Sequence, residues 1–148
     1  MKGQTYHIMN KSIAGFKIFN SKGDFLRMLN LLRFHQKEQM PINFHSFNEA
    51  LKAKKKFRKE INLENLHNAV IVIAYCLMSI HLHFVLQEVK KNSISRVMIN
   101  ILNSYTKYFN IKHDRKGPLW EGRLKKVLIE DDEQLFKKAT EPLTSWPN

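Results

Sequence analysis

The feature that most constrains this chain is a pair of histidines, His81 and His83, inside an apolar segment near its middle. Residues 80–86 (IHLHFVL) are rich in the apolar and aromatic residues that favour a β-strand. Successive strand side chains point to opposite faces, so both histidines share one face, with backbone positions roughly 7 Å apart. Neutral imidazoles bind metal ions, so the pair is a candidate metal site, although such histidines also occur as ordinary polar residues of half-buried strands.

Composition indicates one globular domain, residues 1–148, with a polyanionic partner. The chain is 43% hydrophobic, which is enough for a buried core. Its 25 Lys and Arg against 13 Asp and Glu give a formal charge of +12. This excess favours nucleic acid over a membrane surface, and the alternative is a basic protein without such a partner. The single cysteine, Cys76, cannot form an internal disulfide, and no signal peptide or long apolar span is evident. We therefore expect a cytoplasmic protein that does not bind membranes.

Periodicity along the chain predicts four strands and three helices. In order, these are a strand at 5–9, a helix from Asp24, an apolar strand at 68–78, the strand at 80–86, a helix capped by Ser93, a strand ending at Ile129 and a helix at 133–140 capped by Asp131 or Asp132. Residues 40–48 are interpreted as irregular, and 143–148 as a tail without periodicity. The continuous apolar character of 68–78 predicts a strand covered on both faces, paired with 80–86 as a hairpin.

This order predicts an α+β, ferredoxin-like (βαββαβ) fold, with helices on one face of an antiparallel sheet and a short C-terminal helix. The strand that carries the histidines would be central, and its other face would be free for a ligand.

A basic run beyond residue 51 is a candidate phosphate-binding arm. The residues concerned are Lys52, Lys54, Lys55, Lys56, Arg58 and Lys59. Such runs are usually solvated helix faces or loops, but in a chain this basic we favour contacts to phosphates, which add affinity without sequence specificity.

Four segments together resemble the single-tyrosine HUH transposases, closest to the REP-associated and related insertion-sequence branch. They are residues 6–12 (YHIMNKS), 74–84 (AYCLMSIHLHF), 105–110 (YTKYFN) and 117–125 (GPLWEGRLK). The resemblance extends over roughly residues 6–136. Ser79 and Ile80 stand where the family usually has Pro-Asn, a departure that leaves the two histidines intact.

The resemblance implies a homodimer that acts on single-stranded or hairpin DNA of a mobile element. His81 and His83 would hold Mg²⁺ or Mn²⁺ on the scissile phosphate, where the ion polarises an oxygen while a tyrosine attacks to form a phosphotyrosine intermediate. Because histidines alone select hard ions poorly, a third oxygen ligand is expected, from an Asn or Gln. Arg115, Lys116 and Arg123 are further candidates for phosphate contact.

The family tyrosine has no counterpart here. The corresponding helix, residues 132–141, contains no tyrosine, and Glu141 stands near the expected place. We interpret the C-terminus as truncated, frameshifted or divergent, and expect impaired cleavage. Tyr108 is a substitute candidate at the edge of an apolar helical stripe, whereas Tyr105 falls on that stripe and is expected to be buried.

Other classes of function remain open. A non-catalytic nucleic-acid-binding module on the same fold is the main alternative. An RNA-binding domain of the RRM kind would need a strand signature that the sequence lacks. Trp120 is expected in the core, with base stacking as its alternative role.

Overall fold

Strands and helices follow one another along the described residues in the order βααββαβα. A computed structural model describes residues 3–53 and 63–140. The elements are β1 (Thr5–Lys11), α1 (Lys22–His35), α2 (Phe44–Lys52), β2 (Val70–Leu77), β3 (His81–Glu88), α3 (Ser93–Lys112), β4 (Lys125–Ile129) and α4 (Asp132–Thr140), with short 3₁₀ turns at Ile13–Gly15 and Leu63–Asn65.

The four strands form one antiparallel sheet in the order β2-β3-β1-β4. Helices α1 and α3 pack against each other, and α3 contacts β2 and β3. This is the ferredoxin-like arrangement, so the predicted fold class is confirmed, as is the central position of the strand that carries the histidines. The predicted hairpin of β2 and β3 is also observed.

The apolar core lies between the sheet and the pair α1 and α3. Leu82, Phe84 and Leu86 of β3 are fully buried in it together with side chains of both helices. Burying each such side chain stabilises the fold by about 1.5–3 kcal/mol. Because strand residues alternate, His81 and His83 point to the other face of the sheet, away from α1 and α3.

Helix α4 crosses this other face. It contacts β2 and β4, which are the two edge strands, and Leu135 of α4 lines a pocket with Thr5 and Gln87. Thr5 and Gln87 are cross-strand partners on the face that carries the histidines. Asp131 caps the helix by accepting a 2.7 Å hydrogen bond from the amide of Gln134, which confirms the predicted cap.

The prediction that β2 is covered on both faces is wrong. Ile71, Ile73 and Tyr75 are 41%, 38% and 54% exposed, because β2 is an edge strand. The strand buried on both faces is β3, in which every residue from His81 to Leu86 is buried.

Three helix predictions need correction. Helix α2 occupies most of the segment that we predicted to be irregular, and Asn43 caps it by accepting a hydrogen bond from the amide of Ser46. Helix α1 begins two residues before Asp24, because Ser21 is its N-cap and accepts from the Asp24 amide. At α3, the N-cap is Asn92 in a left-handed conformation, and the predicted cap Ser93 is the first helical residue.

Strand β4 is shorter than predicted, so Trp120 lies in the segment before it. A backbone bridge joins Trp120 to Ser12 beyond the end of β1. The ring of Trp120 is partly buried against the core, and its Nε1 donates to the carbonyl of Leu102 at 3.2 Å. Within residues 3–53 and 63–140, no helix combines the length and apolar character that crossing a membrane requires.

Candidate metal and nucleic-acid site

Strand register brings three histidines together on one face of the sheet. Met9 of β1 pairs with His83, and Lys11 pairs with His81. His7 lies two residues before Met9 and is therefore the diagonal neighbour of His83, within reach of an aromatic ring. The ring centres of His81 and His83 are 5.5 Å apart, and those of His7 and His83 are 5.4 Å apart. The predicted sharing of one face by His81 and His83 is confirmed.

A hydrogen bond joins His7 to His83. The two atoms are His7 Nε2 and His83 Nδ1, 3.2 Å apart, and both side chains are buried. When both imidazoles are neutral, only one of them can donate. If the Nδ1 hydrogen of His83 is donated to His7, the lone pair of His83 lies on Nε2, which is the form that binds a metal ion. The reverse donation places a hydrogen on His83 Nε2 and blocks metal binding there.

His81 and His83 line one cavity of about 310 Å³. Its remaining walls are formed by side chains of β1, by the segment before β4 and by the start of β4: Met9, Asn10, Lys11, Glu121, Gly122, Arg123 and Lys125. Three of these residues are cationic and one is acidic. The Glu121 carboxylate lies 3.4 Å from Lys11 Nζ in an exposed pair, so the cavity keeps an excess of positive charge.

The cavity wall is held in place by backbone hydrogen bonds between the end of β1 and the segment that precedes β4. The amide of Ile13 donates to Leu119 at 2.7 Å, and the amide of Glu121 donates to Lys11 at 2.9 Å. Gly122 follows with φ +68°, a conformation that glycine adopts without steric strain. This turn carries Glu121 and Arg123 to the cavity that the histidines line.

Cys76 is the cross-strand partner of His83 and is buried. Burial raises the pKa of its thiol above the ordinary value. The thiol is therefore protonated at neutral pH, and it is a poor ligand for the hard ions Mg²⁺ and Mn²⁺.

Within residues 3–53 and 63–140, no three His, Cys, Asp or Glu side chains are grouped so that they could hold a metal ion by themselves. His81 and His83 supply two nitrogen donors at one cavity. The other ligands of an octahedral ion would be oxygen atoms of a phosphate or of water. The two histidines therefore fit a divalent ion only where oxygen atoms from outside these side chains complete its coordination.

The predicted DNA-binding residues fall in separate places. Arg123 lies at the histidine cavity, whereas Lys52 lies at the end of α2 and pairs with Glu49 at 3.5 Å. Arg115 donates to the carbonyl of Pro118 at 2.9 Å, and its guanidinium stacks 4.9 Å over the ring of Phe16, so this arginine holds its own loop together. Lys116 is exposed in the same loop. Lys54, Lys55, Lys56, Arg58 and Lys59 lie outside the described residues, as does Glu141.

Tyr108 lies on the other side of the sheet from His81 and His83. It is partly buried on α3 and donates a 2.7 Å hydrogen bond to Asp24 Oδ1. Burial raises the pKa of Tyr108, and the hydrogen bond to Asp24 raises it further. The sheet therefore separates the Tyr108 hydroxyl from the cavity that His81 and His83 line. Tyr105 is fully buried, as predicted, and donates to the carbonyl of Ile18.

Three residues of the site were missed in the sequence: His7, Lys11 and Lys125. The sequence did contain a signal for His7. In the predicted first strand, Thr5, His7 and Met9 are every second residue, so they share one face. This spacing alone could not identify which histidine of β3 would lie beside His7, because that depends on the register between β1 and β3.

Comparisons with known proteins give a likeness among solved structures. No family model matches the chain, and no curated protein matches it. Among solved structures, the chain is similar to that of a REP-associated tyrosine transposase bound to a REP hairpin, with a TM-score of 0.57 and 11% sequence identity. The match covers 94% of this chain and 64% of the transposase, so this chain spans less than two thirds of the length of the transposase. At this identity the likeness shows a shared, transposase-like fold.

Proposed function

We propose that this protein is transposase-like and binds single-stranded or hairpin DNA, with a divalent ion held on a DNA phosphate by His81 and His83. The observation that carries the proposal is the cavity in which both histidines lie beside Arg123 and Lys125. The cationic side chains would hold the negatively charged strand close to the histidines. The likeness in fold to a transposase bound to a REP hairpin supports the same class of ligand.

The proposed ion is Mg²⁺ or Mn²⁺, and His81 and His83 are the residues that would hold it. When bound, such an ion polarises a phosphoryl oxygen. His7 orients the ring of His83 through their hydrogen bond. Arg123 and Lys125 position the strand, and Glu121 stays paired with Lys11 on the cavity wall.

Binding without cleavage is the second candidate function. It is favoured by the position of Tyr108, which is hydrogen-bonded to Asp24 on the helical side of the sheet. Among residues 3–53 and 63–140, no tyrosine lines the histidine cavity. A non-catalytic nucleic-acid-binding module would use the same cationic wall and would need no nucleophile.

The homodimer and the cytoplasmic location stay part of this proposal. Edge strand β2 leaves Ile71, Ile73 and Tyr75 exposed, with Ile71 and Tyr75 on opposite faces of the sheet, and a second copy that paired along this edge could cover them. Light scattering of the purified protein over a range of concentrations tests the dimer. A constant monomer mass would remove it from the proposal.

Fluorescence anisotropy with labelled hairpin, single-stranded and blunt duplex DNA tests the binding function. We expect the hairpin and the single strand to bind more tightly than the duplex, with affinity that falls as salt rises. Arg123→Gln and Lys125→Gln should each reduce the log–log salt slope by about 0.7 on single strands. Lys91→Gln is the matched control, because Lys91 is exposed and lies outside the cavity wall. Equal slopes in all four proteins would contradict this placement of the DNA.

A further inference from the structure

A second cationic pocket lies on the side of the sheet away from the histidines. It is formed between α1, α2 and α3 and has a volume of about 360 Å³. Its polar lining consists of side chains from all three helices: Arg27, Asn30, Arg33, Asn48, Lys52 and Tyr108. The volume is in the range of small-molecule sites, roughly 300–1,000 Å³.

The guanidinium of Arg27 is fixed between two aromatic rings. It lies 4.9 Å from the ring centre of Phe44 and 4.8 Å from that of Tyr108. Its Nε is buried and has no hydrogen-bond partner among residues 3–53 and 63–140, and no ion pair of Arg27 is found there. Stacking holds the planar group in one orientation, which lowers the entropy lost when it binds an anion.

Burial of Arg27 has an electrostatic cost that an anion would offset. Burial lowers the pKa of this guanidinium, while Tyr108 and the carboxylate of Glu49 act in the opposite direction. Buried donors without partners cost free energy, and a bound phosphate would supply the acceptors.

The charges around the pocket leave a positive excess. Arg33 and Lys52 line it together with Arg27. Glu49 is the nearby carboxylate, and it lies 3.5 Å from Lys52. Asp24, beneath Tyr108, already accepts from Lys112 at 2.7 Å, so its charge is compensated within the fold.

The neutral polar groups of the pocket are held in place. The amide of Asn30 donates to Asn48 Oδ1 at 3.0 Å, which joins α1 to α2 across the pocket. The three cationic side chains are therefore presented on a fixed framework of helices.

We propose that this pocket binds the phosphate group of a nucleotide, either free or within a DNA strand. The cations of Arg27, Arg33 and Lys52 would contact the phosphate oxygens, and the pocket has room for the adjoining sugar. The DNA source rests on the proposed function, whereas binding of a free nucleotide does not. Because the sheet separates this pocket from the histidine cavity, a DNA ligand would meet the protein on two sides.

Calorimetry with thymidine 5′-monophosphate, inorganic phosphate and thymidine tests the proposal. We expect the two phosphates to bind, the nucleotide more tightly, and thymidine to bind at least tenfold more weakly than the nucleotide. Arg27→Gln and Arg33→Gln should each weaken nucleotide binding about tenfold or more. Lys107→Gln is the control, because Lys107 is exposed on α3 and does not line this pocket.

Arg33 is exposed, so its variant is expected to fold even if Arg27→Gln does not. A thermal melt by circular dichroism shows which variants are folded, and only folded variants are compared. Equal nucleotide affinity in wild type and Arg33→Gln would overturn the proposal, as would thymidine binding as tight as that of its monophosphate.

Hairpin binding by the same variants separates the sources of the phosphate. Weaker hairpin binding by Arg33→Gln identifies the strand as a source, while unchanged hairpin binding with weaker nucleotide binding identifies the free nucleotide. A third outcome is that the wild type binds the nucleotide but no DNA, and that Arg33→Gln binds the nucleotide more weakly. The pocket proposal would then hold, and the proposed DNA-binding function would be wrong.

Discussion

His7 Nε2 lies 3.2 Å from His83 Nδ1, in a hydrogen bond that links β1 to β3 within the sheet. Metal binding by His83 requires its Nε2 lone pair, and donation of the Nδ1 hydrogen to His7 provides it. In the proposed metal site, with the hydrogen on His83 Nδ1, His7 would act through His83 as a positioning residue. Its value to the site depends on its ability to accept a hydrogen bond.

Replacement of His7 tests this dependence. His7→Leu removes the acceptor, and we expect Mn²⁺ binding to weaken about 10- to 100-fold, the usual effect of losing a residue that orients a metal ligand. His7→Gln keeps an acceptor oxygen and should weaken binding less. Titration calorimetry with Mn²⁺ measures both, after a thermal melt shows that the variants fold. Equal Mn²⁺ affinity in wild type and His7→Leu would show that His7 does not position His83.

Tyr108 is predicted not to act as the nucleophile. In a denaturing gel with labelled hairpin DNA and Mn²⁺, we expect no covalent adduct from the wild type or from Tyr108→Phe. The substitution removes the hydrogen bond to the charged carboxylate of Asp24, so the free energy of unfolding should fall by about 1.5–3 kcal/mol. Tyr105→Phe is the matched control on the same helix. An adduct that forms with the wild type and disappears in Tyr108→Phe would identify Tyr108 as the nucleophile.

Asp24 is predicted to make stability depend on pH in acid. Burial acts to raise the pKa of its carboxyl, but hydrogen bonds from Lys112, Tyr108 and the Asn20 amide outweigh burial and lower it. Because the folded pKa is below the unfolded one, the stabilisation is complete above the unfolded value of about 3.9 and is lost as pH falls through the folded value.

Urea unfolding of wild type and Asp24→Asn measures this contribution. We expect Asp24→Asn to be less stable by about 1–3 kcal/mol at pH 7, because Lys112 and Tyr108 lose a charged acceptor. The difference should stay constant down to about pH 5 and shrink below about pH 4. A difference that does not change between pH 7 and pH 3 would contradict the assignment.

The fold could be predicted because periodicity marks β3 and α3 clearly, and because the order of elements allows few arrangements. Edge and central positions could not be predicted from local pattern. Both faces of β2 are apolar in sequence, yet Ile71 and Tyr75 are exposed, because only the strand order decides which strand is at the edge. Helix α2 carried a cap at Asn43 and apolar spacing at Phe44 and Phe47, but the neighbouring Pro41 made the segment resemble a loop.

The sequence predicted the part of the site that lies on β3, together with Arg123 as a candidate for phosphate contact. Alternation along β3 identified the shared face of His81 and His83. The role of His7 depends on the register between β1 and β3, and the contribution of Lys125 depends on the register between β1 and β4. These pairings join residues distant in sequence, so no local pattern contains them.

Electron spin-echo measurements on bound Mn²⁺ test most directly whether His81 and His83 hold an ion on a DNA phosphate. With hairpin DNA present, the wild type should give ¹⁴N coupling from imidazole and ³¹P coupling from phosphate on the same ion. The double variant His81→Ala/His83→Ala should lose the ¹⁴N coupling, and Lys91→Gln should keep both. A ³¹P coupling without ¹⁴N coupling in the wild type would show that the ion binds the DNA away from the histidines and would contradict the account.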